Sequence, residues 1–232
     1  MDGTLIRSRG ANANKLHKDS FAAGFRNVFG IETTIDVVPH HGSTDPLILV
    51  KVLEFHGVDK QTSMEKLPQM QEAMVEHFLE RRSEAGVGLE ILPGVIDLLK
   101  SLKDNDDVVI CLCTGNLEPI AWEKMGNLGI KDLFTEPFFG GFGSDFCSGN
   151  TEESWKDRSE LIKIAAARAE DLVGAPVPCR FHVGDAPIWV HAWMFKLLKP
   201  LVHHTCGPYW CVDRHLHRGN SSKRVSECNY SR

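Results

Sequence analysis

The chain has 232 residues, of which 42% are hydrophobic and 25% charged, with a net charge of −5. That balance excludes wholesale disorder and argues against a general nucleic-acid binder. No apolar run reaches the ~18 residues of a membrane helix, MDGTLIRSRG lacks a signal-peptide core, and seven Cys without a CxxC pair indicate neither a disulfide framework nor a ribbon-type zinc site.

Residues 1–6 (MDGTLI) are too short to assign as a strand. Lys15–Phe29 carries Leu16, Phe21, Phe25 and Val28–Phe29 at helical spacing. Ser43-Thr44-Asp45 introduces a helix over Pro46–Phe55, with Pro46 suited to the first turn and Gly57 as the stop. Met64–Arg82 reads as a third helix, with Met70, Met74 and Phe78 on its apolar side. Residues 15–85 therefore form an all-helical block. Pro93-Gly94 opens a short helix, Val95–Leu102. Val108–Cys113 (VVICLC) is apolar throughout and bounded by turn residues, as a strand buried on both faces would be. Glu118–Leu128 is a helix stopped at Gly129. The Gly-rich stretch Gly140–Gly143 precedes a helix over Ser159–Leu172, and Cys179–Val183 (CRFHV) is expected as a second strand ending at Gly184-Asp185.

Composition changes near residue 189. Residues 189–232 hold seven Lys or Arg against Asp213 and Glu227, with three of the seven Cys and three of the five Trp, so the rest of the chain carries all of the acidic excess. His203, His204, Cys206, Cys211, His215, His217 and Cys228 are possible soft-metal ligands there, but C-x4-C-x3-H-x-H is not a usual zinc spacing, and a weakly ordered tail is the plainer expectation.

Strands alternating with helices predict an α/β fold with a parallel sheet, in which ligands bind beyond the carboxyl ends of the strands. Three segments occupy such positions. Asp2-Gly3-Thr4 offers a carboxylate, a permissive glycine and a hydroxyl. Thr114-Gly115-Asn116 offers a hydroxyl and N–H groups at a helix start, which suit a phosphate. Gly184-Asp185 adds a carboxylate for a hard cation. Each alone is an ordinary turn; in this order, each at a strand end, they compose a phosphoryl-transfer site.

That order, D-G-T-L, then apolar strand–T-G-N, then apolar strand–G-D-x-P, resembles the haloacid dehalogenase superfamily. His41–Asp45 with its helix, Leu92-Pro93-Gly94-Val95, Thr114–Ile120 with Lys124, and Gly140–Asp145 followed by Arg158–Leu161 resemble its phosphoglycolate-phosphatase-like branch. The resemblance covers residues 2–187. It implies a Rossmann-like parallel sheet core (residues 1–14 and 88–188, first strand incomplete) with an inserted all-helical cap domain (15–87), followed by the divergent tail (189–232). It implies a Mg2+-dependent phosphatase of a small phosphorylated substrate, working through an aspartyl-phosphate, with no nucleic acid and no membrane as partner, and a cytoplasmic location. Asp2 matches the acid–base Asp, Thr114 the hydroxyl that holds the phosphoryl oxygen, and Asp185 a Mg2+ ligand. Arg158 is the choice for the basic residue, with Lys156 and Lys163 behind it. Gly3, Thr4, Gly115, Asn116 and Lys156 complete the phosphate set. Thr44 and Asp45 sit in the cap, to touch substrate or to cap their helix.

The family motif is D-x-D-G-T. Met1 stands at x, so the nucleophilic Asp would precede residue 1, and the chain as written is expected to be impaired, with its central strand missing. Trp189 stands where the family has a further Asp, and the tail reads as an altered coding end. The alternative function is a non-catalytic, degenerate module that binds a phosphorylated ligand or a protein partner. Cys111, Cys113, Trp122 and Trp155 are expected to pack, and His17, His40, His41, His56 and His77 to lie on the surface or pack within the cap.

Overall fold

A computed structural model describes residues 1–185. Residues 1–6 form a tight turn, followed by β1 (Ile6–Ser8), α1 (Lys15–Phe29), α2 (Asp45–Phe55), α3 (Lys60–Glu80), β2 (Leu89–Ile91), α4 (Val95–Lys103), β3 (Leu112–Thr114), α5 (Glu118–Asn127), β4 (Gly140–Phe142) and α6 (Ser154–Val173). Two-stranded sheets make up the β content. β1 and β2 are antiparallel, with Ile6 opposite Ile91, and β3 and β4 are parallel, with Leu112 opposite Gly140. The chain is thus a mixed α/β protein whose sheets are small. No helix among the described residues is long and apolar enough to cross a membrane.

Residues 15–85 contain helices and no strand. α1 ends at Gly30, in a left-handed conformation, whose N–H returns to the carbonyls of Arg26 and Phe25. α2 is buried on nearly every side, through Leu47, Ile48, Leu49, Val50, Val52 and Leu53. A helix apolar all round belongs in a core, and α3 packs along both α2 and α1. Asp59 caps α3 by accepting the Thr62 N–H at 2.9 Å. These helices share one apolar core that runs on into α5 through Leu117 and Ile120.

A second core lies around β3. Leu112 and Phe142 meet Trp122 and Met125 of α5, Val95 and Leu99 of α4, and Ile6 and Leu89 of the other sheet. Trp122 is a packing residue, with the rings of Phe134, Phe138 and Phe142 at 5.5, 5.5 and 5.7 Å.

Two strand expectations are corrected. The ladder takes only Leu112 and Cys113 of the Val108–Cys113 run and adds Thr114; upstream, Ile110 bonds Thr135 through backbone and hydroxyl instead. Cys179–Val183 forms no strand, and Phe181 and Val183 stand 58% and 42% exposed. A strand exists only against a neighbour. Among the described residues β3 pairs on one side alone, with β4, and no strand accompanies 179–183. In the other direction, Gly140–Phe142 pairs with β3, which its glycines gave no reason to expect. Trp189 and the Cys/His set of 203–228 lie outside the described residues.

Candidate active site

Asp2, Gly3 and Thr4 sit in a turn closed by the Met1 carbonyl, which accepts the Thr4 and Leu5 amides at 3.2 and 2.8 Å, and by the Gly3 N–H, which donates to the Ile6 carbonyl at 2.7 Å. The turn holds Gly3 at φ +79°, and a Cβ there would stand 1.9 Å from Asp185 Oδ2. Glycine is therefore required by both conformation and space. The Thr4 hydroxyl donates to Asp185 Oδ1 at 2.9 Å. Two of the three predicted loops, at opposite ends of the described chain, are thus in direct contact.

Asp2 is open to solvent yet ringed by polar groups. Burial pushes its carboxyl up, but Lys124, the chain's amino group and a hydrogen bond from Asn14 more than offset this, and the net shift is downward. The carboxylate is therefore ionised at neutral pH. Arg158 lies where Asp185, Asp45 and Asp2 all act on it; burial lowers its pKa, and its guanidinium stays charged. It donates through Nε to the Gly42 carbonyl and through Nη2 to the Ser43 carbonyl at 3.1 Å. Lys156 turns away from this group, pairing with Glu153 at 2.5 Å beside the Trp155 ring, and Lys163 pairs with Glu160 at 2.6 Å.

Thr114 is 3% exposed at the end of β3, and its hydroxyl accepts the Asn116 N–H at 3.3 Å. Gly115 is crossed by the helical block, so that a Cβ would stand 2.9 Å from Thr44 Cα. The Asp45 N–H donates to the Gly115 carbonyl at 2.8 Å. The Asp45 carboxylate in turn accepts the Leu117 N–H at 3.0 Å and the Asn116 side-chain amide at 3.3 Å. An internal carboxylate therefore occupies the N-terminal end of α5, the place the sequence offers to a phosphate. Asp45 itself is buried, so it acts as a strut between α2 and α5. Thr44 makes no side-chain cap bond, and its buried hydroxyl has no hydrogen-bond partner.

His17, Lys124 and Asn14 also surround Asp2; the sequence named Lys124 only as part of the family resemblance, gave His17 a surface or packing role, and did not single out Asn14. Lys124 Nζ lies 3.2 Å from His17 Nδ1 and 3.1 Å from Asn116 Oδ1, while His17 Nε2 lies 2.9 Å from Asp45 Oδ2. An ammonium only donates, so Nδ1 must accept, and the ring proton belongs on Nε2, where it is given to Asp45. His17 is thereby a neutral linker between a cation and an anion. The signal available in sequence was the i,i+4 pairing of Ile120 with Lys124 on one face of α5, but nothing adjacent pointed to His17.

Asp2 and Asp185 bring hard carboxylate oxygens to this region, and Mg2+ is commonly held by one or two carboxylates plus waters and phosphate oxygens. The chemistry of the Asp185 carboxylate fits such an ion; no group of three metal-ligating side chains occurs among the described residues. Cys111 and Cys113 are not candidates, since burial pushes their thiols up to about 11 and about 12. No protein-family model matches the sequence, and no curated protein matches it.

Proposed function

We propose that the chain is the binding body of a phosphomonoester hydrolase of the haloacid dehalogenase type, with an α/β core from residues 1–14 and 88–188 and residues 15–87 as its helical cap. One observation carries the reading. Asp2, Asp185 and Arg158, remote in sequence, share one electrostatic neighbourhood, with the Thr4 hydroxyl bonded to Asp185. Paired carboxylates beside a guanidinium suit a divalent ion and a dianionic phosphate.

In this reading Arg158 neutralises phosphate charge and Thr114 holds a phosphoryl oxygen. Asp2, an ionised carboxylate, is the base that takes a proton from water. Asp185 would hold Mg2+, which when bound supplies positive charge beside the phosphate oxygens. Residues 15–87 exclude water from the site. The covalent step needs a carboxylate two positions before Asp2, which residues 1–232 do not supply. These residues are therefore assigned binding, charge neutralisation and proton transfer.

A second reading, a binding module without turnover, draws on a specific observation. Asp45 fills the α5 N-terminus and Arg158 is bonded to the Gly42 and Ser43 carbonyls, so protein groups already occupy part of the anion site. Two measurements separate the readings. Inorganic phosphate with Mg2+ is expected to raise the melting temperature, and Arg158→Ala to abolish the rise; no rise in the parent chain would overturn both readings. Placing Met-Asp ahead of Met1 creates Asp-Met-Asp-Gly-Thr, which is expected to hydrolyse p-nitrophenyl phosphate in Mg2+. Binding without hydrolysis in that version selects the module.

A further inference from the structure

The guanidinium of Arg158 already has occupants. Its Nε–H and one Nη2–H are roughly parallel, and together they form the side-on fork with which an arginine takes two oxygens of a carboxylate or phosphate. In this chain Nε donates to the Gly42 carbonyl and Nη2 to the Ser43 carbonyl at 3.1 Å. Two consecutive carbonyls of one turn thus stand where two oxygens of an oxyanion would. The turn is shaped by the Ser43 N–H, which donates to the His40 carbonyl at 3.1 Å, and by Gly42 at φ +78°, a conformation that favours glycine.

Residues 40–44 are arranged as a flap. Their downstream end is pinned, because Asp45 gives its N–H to the Gly115 carbonyl at 2.8 Å and its carboxylate accepts the Leu117 N–H at 3.0 Å. Just ahead of that pin, Thr44 is fully buried and its hydroxyl has no hydrogen-bond partner. A buried orphan hydroxyl is costly, and lifting the flap into water relieves it. The grip on Arg158 is also a modest one. The two carbonyls are neutral, whereas phosphate makes charge-assisted bonds to the same fork that are roughly twice as strong.

We infer that Gly42–Thr44 is an autoinhibitory flap, whose two carbonyls occupy the fork of Arg158 in place of phosphate and are lifted off when phosphate binds. The inference rests on the reading of Arg158 as the residue that neutralises phosphate, and it names how that site is regulated. The first test is calorimetric titration of the 232-residue chain with inorganic phosphate in Mg2+, with melting curves of the ligand-free protein. Gly42→Ala strains the left-handed turn and should tighten phosphate binding by up to about tenfold. Thr44→Val removes the orphan hydroxyl and steadies the flap, so it should weaken phosphate binding and raise the ligand-free melting temperature. Hydrogen exchange of the parent chain tests the same motion without a substitution. Phosphate should speed exchange in residues 40–44 and leave the Asp45 and Leu117 amides slow. Phosphate binding that is no tighter in Gly42→Ala than in the parent, or exchange in residues 40–44 that phosphate slows or leaves unchanged, overturns the inference and leaves the hydrolase reading standing. Absence of phosphate binding in the parent and in both variants removes that reading, and the inference with it.

Discussion

A buried ammonium is stable only while its partners hold it, and Lys124, 1% exposed, is such a group. His17 and Asn116 accept from it, and its field helps to keep Asp2 ionised. Lys124→Met removes the cation and leaves the buried Asp45 without its relayed countercharge. The expected loss is about 3–5 kcal/mol in urea unfolding, the usual result of breaking a buried pair from one side. A loss below about 1 kcal/mol would show that His17 and Asp45 are satisfied without it. His182 offers a pH test. Burial pushes it from its usual 6.5 down to about 4, so the folded chain binds fewer protons than the unfolded chain between those values. Stability is therefore present above pH 6.5 and falls as the pH drops toward 4, by up to about 1.4 kcal/mol per pH unit. His182→Gln should flatten this slope in melting curves taken from pH 7 to pH 4. An unchanged slope would assign it to other groups.

Among the elements, α3 contains its own weak point. Pro68 lies inside the helix, between the buried Leu67 and Met70, and offers no N–H to the carbonyl four residues back. Pro68→Ala should raise stability by roughly 1–3 kcal/mol in urea, provided the helix axis is not required to bend there. A destabilised variant would show that the bend itself is needed for packing on α1. The helices were legible because a 3.6-residue apolar period survives in Lys15–Phe29, Pro46–Phe55 and Val95–Leu102, each recovered to within one residue at either end. The strands were not. Three-residue strands are too short to show their two-residue alternation, and pairing is decided by partners remote in sequence, which is why Gly140–Phe142 gained a ladder and Cys179–Val183 did not. The site divides the same way. Its loops announced themselves as carboxylate, hydroxyl and glycine in turn segments, although among the described residues only Thr114–Asn116 lies at the end of a strand. The contacts of His17 with Asp45 and Lys124 span 28 and 107 residues, and no local pattern encodes them.

At the scale of the molecule, two apolar cores meet along α5, and polar contacts tie the helical block to the sheet region. Asp45 bonds Gly115, Asn116 and Leu117, and Arg158 bonds the carbonyls of Gly42 and Ser43. Because Leu117 and Ile120 belong to the core of the helical block, the two parts should unfold together. Asp45→Ala deletes the central tie and the carboxylate that accepts the Leu117 N–H at the start of α5. Scanning calorimetry should then show the single melting transition broaden or split, with the helical block outlasting the β3–β4 region. A sharp transition that merely moves down in temperature would mean that apolar contact along α5 suffices to couple the parts.

The Thr4–Asp185 bond joins positions 181 residues apart. Closing so long a loop is entropically expensive and gains little until everything between is in place. This hydroxyl–carboxylate bond is thus a clasp fastened after the rest of the garment is on, and the first fastening to slip. A bridging cation or phosphate would grip both sides of it, so occupancy should register less as a change of shape than as slower opening of the first and last described turns.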